Sequence, residues 1–402
     1  MAEITDFGLI VLIVSGSFGL AIFSNKLSEQ VPVPAPAIFL LAAAAAAHFS
    51  PRLGRELSIK DVVRVAVVAL VAILFDGGMR VGWRRFRAAI APISILGVLG
   101  TFGTAGLLTL AGRYLFDFSW TGAGILGAAL APTDPAVMFS VLGRREVGGR
   151  TGSILEGESG VNDPVGIALM LGMLEFATHA DASLWVVVRE FVVEMAVGLA
   201  IGAAGAWIVL MSIRRIHLAN PALYPLRSLA AAGLIYGVAA VAHGSGFLAV
   251  FVAGILIGDA EYPHRTEVLR FHKSLASLAE IVVFVALGLT VNNVSLGSVW
   301  RDAVYVSLVL AFFARPFVTG LLLLPARLRN GERLFVMWSG LKGAVPILLA
   351  AFALLEGVGG AERIYGIVFV VVAFSVIFQG ATMPFVARRL GVPMRLVERS
   401  RA

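Results

Sequence analysis

Three carboxylates fall within eight residues of an otherwise apolar run: Glu156, Glu158 and Asp163 in SILEGESGVNDPVGIALM (153–170). An ionised carboxylate at the centre of a membrane helix costs at least ~2.5 kcal/mol, so such groups face a bundle interior or water and mark an ion path. The same segment carries a hydroxyl (Ser159), an amide (Asn162) and a helix breaker (Pro164). A monovalent cation needs oxygen ligands. Asp163, Ser159 four residues earlier on the same helix face, and loosened backbone nearby can supply them. A carboxylate also takes a proton, so Asp163 alone can alternate between the two, which is the minimum machinery for exchange. The competing reading is a buried Asp hydrogen-bonded for packing.

Two further segments are interrupted. GILGAALAPTDPAVMFSVLG brackets Thr133 and Asp134 between Pro132 and Pro135, and FVMWSGLKGAVPILLAAFALL sets Lys342 among Gly340, Gly343 and Pro346. Pro and Gly break helices, and broken backbone is tolerated at membrane depth only beside protein or a water-filled cavity. Thr133 and Asp134 are either ligands or caps of the free helix end. Asp134 near half-helix N-termini and Lys342 near half-helix C-termini would offset the partial charges there. Asp76, in ILFDGGMR, lines the cytoplasmic mouth or caps a turn. Arg315 and Lys342 lie deep in apolar segments and need acidic partners, because unpaired buried charge is costly. Glu158 is the preferred partner of Arg315, with Glu156 the alternative; Lys342 is expected near Asn162 and Asp134. Arg189, Glu190, Glu194 and Glu280 read as snorkelling or interhelical pairs, and the alanine run 42–47 as a close-packing face.

Positioning these residues takes a polytopic helical membrane protein. The 402 residues are 59% hydrophobic and 14% charged, with a mean hydropathy of +0.91, against about 45–50% and about 25% in soluble domains. Thirteen spans are expected, near 6–24, 34–49, 61–79, 88–112, 119–142, 152–177, 184–213, 224–243, 245–260, 272–292, 299–325, 332–356 and 362–387. The N-terminus lacks a basic region and a cleavage site and reads as the first span. Of 32 Lys and Arg, 22 fall on one side, 7 on the other and 3 within spans. That bias puts the C-terminus in the cytoplasm and the N-terminus outside, and it also accounts for the net charge of +7 without nucleic acid. The absence of cysteine excludes disulfides and thiolate chemistry.

The interrupted spans five and twelve occupy matching places in two halves, 1–178 and 217–390, joined by 179–216 and followed by a short tail, 391–402. Paired broken helices of this kind indicate an inverted-repeat transporter with a midplane site.

At TDPA (133–136) and ESGVNDP (158–164), with FDGG (75–78), ARP (314–316) and GLKGAVP (340–346), the chain resembles the monovalent cation/proton antiporter superfamily, in its sodium/proton exchanger (NhaP-like) branch. The resemblance implies a thirteen-helix protomer that pairs as a homodimer in the plasma membrane, with a moving core and an elevator-type cycle. It carries over Asp163 as the ion and proton carrier, with Ser159 and Thr133 as cation ligands and Asp76 as ligand or mouth lining. Asp134, Asn162, Glu158, Arg315 and Lys342 carry over as the supporting network. The Asn-Asp pair at 162–163 resembles the electroneutral branch, exchanging Na⁺ (or Li⁺ or K⁺) for H⁺, with lipid as the surroundings and no organic cofactor. One departure is Lys342, where the motif commonly has Arg; a buried Lys can release its proton.

Three rivals have specific requirements. An intramembrane aspartyl protease needs Tyr-Asp and Gly-x-Gly-Asp contexts, whereas Gly258-Asp259 follows Leu256-Ile257. A serine hydrolase elbow fails too, because GESGV (157–161) lacks the last Gly. A sodium-coupled organic-anion symporter would share crossed helices but require a large amphipathic cavity.

Overall fold

Helices apolar on every side satisfy their own backbone and leave polar contacts only at caps and breaks, the arrangement a bilayer demands. The computed structural model describes residues 16, 19, 34–49, 58–142, 145–178, 184–293 and 296–396. Its helices are α1 (Ala35–Phe49), α2 (Ile59–Ala88), α3 (Ile90–Leu115), α4 (Trp120–Leu130), α5 (Pro135–Leu142), α6 (Gly149–Thr178) and α7 (Leu184–Arg215). There follow α8 (Leu223–Val241), α9 (Gly246–Gly258), α10 (Arg265–Leu289), α11 (Leu296–Leu322), α12 (Asn330–Trp338), α13 (Ala344–Leu355) and α14 (Ala361–Arg389). Among the described residues, seven helices are long and apolar enough to cross a membrane; α1, α4, α9 and α13 are shorter apolar helices. The expected first span, 6–24, lies outside the described residues except for helical Gly16 and Gly19.

Side-chain caps set several starts. Ser58, Ser119 and Ser245 accept hydrogen bonds from the backbone N–H groups of Asp61, Gly122 and Leu248, opening α2, α4 and α9. Glu332 accepts from the Arg329 N–H at 2.9 Å and opens α12.

Several expected boundaries shift. Of the basic cluster between the expected spans, Arg80 lies in α2 before a kink at Gly82, and Arg84, Arg85 and Arg87 continue the helix beyond it. Gly82 adopts φ 66°, which glycine alone takes without strain, and Asp259 accepts from the Arg84 N–H beyond it at 2.6 Å. Arg270, between the expected spans, lies inside α10, which begins at Arg265. The tail is not a bare spacer: β2 (Met394–Leu396) pairs antiparallel with β1 (Arg145–Val147), in the register Glu146 to Arg395.

Both interrupted segments are broken. Residues 131–134 separate α4 from α5, and residues 339–343 separate α12 from α13. The breaks meet, with the Asp134 N–H donating to the Leu341 carbonyl at 2.8 Å. Three π-helical turns interrupt longer helices: Ile95–Gly100 in α3, Val309–Ala314 in α11 and Ser375–Gln379 in α14. Such turns concentrate at functional sites because the widened turn frees backbone and re-aims side chains. Here the first packs on α6, the second runs directly into Arg315 and the third carries Ser375.

The crossing has no room for a larger residue at its centre. A Cβ at Gly343 would come 2.0 Å from Asp134 Oδ2. Gly343→Ala therefore lowers the thermal midpoint of purified protein, by the equivalent of ~1–3 kcal/mol of overpacking. Gly359→Ala, whose Cβ meets nothing within 4 Å, leaves the midpoint in place. Equal midpoints for the two variants would mean that the breaks are not packed against each other.

Candidate functional site

Helix α6 runs unbroken through Pro164. A proline has no N–H, so the Gly160 carbonyl one turn back loses its helical donor. Gly160, Ser159 and Asp163 line one cavity together with Asp134, Glu156, Arg80, Phe251, Glu280 and residues of α13. A volume of about 90 Å³ gives it room for several waters. A carboxylate, a hydroxyl and a loosened carbonyl thus converge on a space fit for a partly hydrated small cation. Asp163 is 6% exposed, and its Oδ1 has no hydrogen-bond partner. A buried carboxylate with a vacant acceptor is unstable unless a proton or cation can reach it.

Neighbouring residues hold this arrangement. Asn162 Nδ2 donates to Thr133 Oγ1 at 2.7 Å, tying α6 to the first break. Thr133 and Asn162 are both buried, and they brace the cavity wall rather than line it. Fully buried Lys342 donates from Nζ to the Ala131 and Pro132 carbonyls at 3.1 and 2.8 Å, capping the C-terminal end of α4. It also lies within Coulombic reach of Glu158, Asp163 and Arg315. Asp134 stands at the facing N-termini, just before α5 and beside Gly343, which precedes α13. Each charge therefore sits at the helix end whose partial charge it offsets.

The remaining acids and bases divide. Arg315 Nη2 lies 2.6 Å from Glu158 Oε1 with both side chains buried, so Glu158 and not Glu156 takes Arg315. Gly340 makes space for that guanidinium: a Cβ there would fall 2.6 Å from Arg315 Nε. Glu156 lines the cavity. Asp76 is buried and pairs with Arg80 across one turn at 2.8 Å. Arg80 lines the cavity and Asp76 sits behind it.

Two positioning residues escaped the sequence reading, and a third residue was read in another role. Ser375 accepts from the Lys342 N–H at 3.0 Å and donates to Gln379 Oε1 at 3.1 Å, and Gln379 Nε2 donates to the Trp338 carbonyl at 2.6 Å. Together they satisfy backbone on both sides of the second break. A serine and a glutamine four residues apart within an apolar helix carry no motif, and here both fall in the π turn of α14. Glu280 was visible as an acid in an apolar span, yet it is no interhelical pair. It faces the cavity, and its Oε1 has no hydrogen-bond partner.

Removing Arg315 leaves Glu158 buried and uncompensated, at a cost of ~3–5 kcal/mol. Arg315→Ala is therefore expected to lose folded, monodisperse protein by size-exclusion chromatography, and the double variant Glu158→Gln/Arg315→Met to recover it. A well-folded Arg315→Ala protein with altered cation affinity would instead make Arg315 part of the ion site.

Residues 9–389 match the family described as "Sodium/hydrogen exchanger, transmembrane". Among similar proteins, the K(+)/H(+) antiporter NhaP of Alkalimonas amylolytica is 35% identical over 96% of this chain. The K(+)/H(+) antiporter NhaP2 of Shewanella sp. (strain ANA-3) is 30% identical over 92%. The chain spans 68% and 65% of the length of those two relatives. The Na(+)/H(+) antiporter NhaH of Halobacillus aidingensis is 29% identical over 70% of this chain and 72% of its own. Two structures of the sodium proton antiporter MjNhaP1 from Methanocaldococcus jannaschii superpose with TM-scores of 0.76 and 0.80 at 21% identity. They cover 94% and 95% of this chain and 99% and 97% of their own. This chain is thus a multi-pass membrane protein that belongs to the sodium/hydrogen exchanger family.

Proposed function

We propose that this protein exchanges a monovalent cation for H⁺ across the membrane, with both ligands competing for Asp163. The observation that carries this reading is the buried Asp163 carboxylate, its Oδ1 without a partner, beside the Ser159 hydroxyl on a water-sized cavity. A group that must be either protonated or cation-bound can cross in both forms, but it does not cross empty, because a bare buried charge is costly. That restriction couples the two flows. The cation ligands in this scheme are Asp163, Ser159 and the loosened backbone at Gly160, while Thr133 acts through Asn162.

Asn162 beside Asp163 provides one carboxylate at the carrier position, so one cation exchanges for one proton and no net charge moves. Relatives named for K⁺/H⁺ and for Na⁺/H⁺ exchange both support a monovalent cation; Na⁺ is the first to test, then K⁺ and Li⁺. The architecture we propose has thirteen spans in two inverted halves, with the crossing of α4–α5 and α12–α13 moving as one body. The protomers pair as a homodimer in the plasma membrane, N-terminus outside and C-terminus in the cytoplasm. The small, water-sized cavity argues against an organic-anion substrate.

In proteoliposomes, Asp163→Asn abolishes cation-driven proton movement for Na⁺, K⁺ and Li⁺ alike while the protein stays folded. Wild-type-like exchange in that variant would overturn the reading. Competition also fixes the sign of the pH response. More protons raise the apparent KM for the cation, and at high pH the return step, which needs protonated Asp163, becomes limiting. The rate is therefore bell-shaped in pH, with the acid limb moving to lower pH as cation is added; an acid limb that stays put under rising cation would exclude competition.

Stoichiometry is read with the membrane potential clamped at zero and then near 100 mV, where one uncompensated charge feels ~2.3 kcal/mol. One-for-one exchange ignores that potential. A response would mean that Lys342 releases a second proton in the cycle.

A further inference from the structure

Glu280 lies on the cavity wall but has no part in the exchange scheme. It belongs to α10, in the apolar stretch SLASLAEIVVFVALGL, and reaches the cavity next to Val283 and Phe284. Asp163 and Ser159 reach the same cavity from α6, and Asp134 from the first break. Among the described residues, the only basic one that lines the cavity is Arg80, and its Nε lies 2.8 Å from Asp76 Oδ2. Glu280 Oε1 is buried with no hydrogen-bond partner. Asp163, nine-tenths buried on the same space, also has a carboxylate oxygen without a partner. Two such oxygens facing one small cavity are what a cationic ligand needs and what an apolar packing contact would not tolerate.

We propose that Glu280 is a second carboxylate of the ion pathway, which draws the monovalent cation toward Asp163 when ionised and loses that pull when protonated. It is a fixed wall group and does not travel with the ion, because α10 packs on α1, α2, α8 and α13 and touches neither α4 nor α6 extensively. The groups that face it are few. On the shared cavity, helix α2 contributes Arg80, with Asp76 paired behind it, the first break contributes Asp134, and α6 contributes Glu156 and Asp163. Of the other helices packed on α10, α8 carries Tyr224, Arg227 and Tyr236 and α1 carries His48, none of them on the cavity, and α13 carries no titratable residue. With Arg80 engaged by Asp76, the ionised form of Glu280 has a mobile cation as its natural partner. The inference rests on the cation/proton reading above.

The test uses full-length protein in proteoliposomes, with Na⁺ and K⁺ as probes, across a pH series. In Glu280→Gln, the cation KM is expected to rise at least threefold at alkaline pH, with the maximal rate retained. The difference closes toward acid pH, where wild-type Glu280 is protonated as well. Glu280→Asp keeps a pH-dependent advantage of intermediate size. A KM equal to wild type at every pH overturns the inference. So does a KM raised equally at every pH, since that is the mark of a packing role. Should the Gln variant fail to fold, Glu280→Met, which fills the wall without polarity, is read by the same criterion. Asp163→Asn is measured alongside: loss of exchange there with wild-type behaviour in Glu280→Gln retires this inference alone, whereas exchange persisting in Asp163→Asn retires the cation/proton reading itself.

Discussion

The meeting of two broken helices is the constraint on which the remaining structure depends. Breaking a helix inside an apolar bundle exposes carbonyls at one new end and N–H groups at the other, with no solvent to receive them. The two breaks satisfy each other in part, through the Asp134 N–H on the Leu341 carbonyl. What remains is electrostatic. Lys342 takes the α4 carbonyl end and Asp134 stands at the opposing N-terminal ends. Neither charge would be stable at that depth without the helix end it faces, and neither helix end would be stable without the charge.

The crossing also explains why charged residues only a few positions apart differ in their freedom. Glu158 and Asp163 share one helix and are both buried. Glu158 is closed by Arg315, delivered by the π turn just before it and accommodated by Gly340. Asp163 has the amide-tied break on one side and the cavity on the other, and among the described residues its Oδ1 has no hydrogen-bond partner. Function follows from where the bundle withholds a partner, not from where it places an acid.

Much of this was legible in the sequence because membrane burial makes polar residues conspicuous. TDP and GLKGAVP announced two breaks, and Glu158, Asp163, Arg315 and Lys342 stood out from apolar runs. The pairing of Glu158 over Glu156 was not fixed by spacing. It depends on the rotation of α6 against α11, to which two residues of sequence separation are insensitive. The π turns were invisible because they share their composition with ordinary helix, and with them went Ser375 and Gln379. The helical continuation through Arg80 to Arg87 was missed for a different reason. Basic residues next to glycines read as a loop, whereas Gly82 only bends the chain and Asp259 restarts the helix.

Glu280 shows why a pairing rule needs three dimensions. Reading it as half of an interhelical pair assumed that any buried acid finds a base. Arg80, the base that lines its cavity, is held by Asp76 one turn away on its own helix, a pairing that needs no residue of α10. Packing then brings Glu280 to a wall where the nearest positive charge is committed. The bundle tolerates this because the cavity beside the carboxylate can hold water, and water is the medium through which a small cation arrives. In the proposed exchange, the same water-sized space that lowers the cost of leaving Glu280 unpaired would give Asp163 its access to ions. Sealing the cavity would make both carboxylates intolerable together.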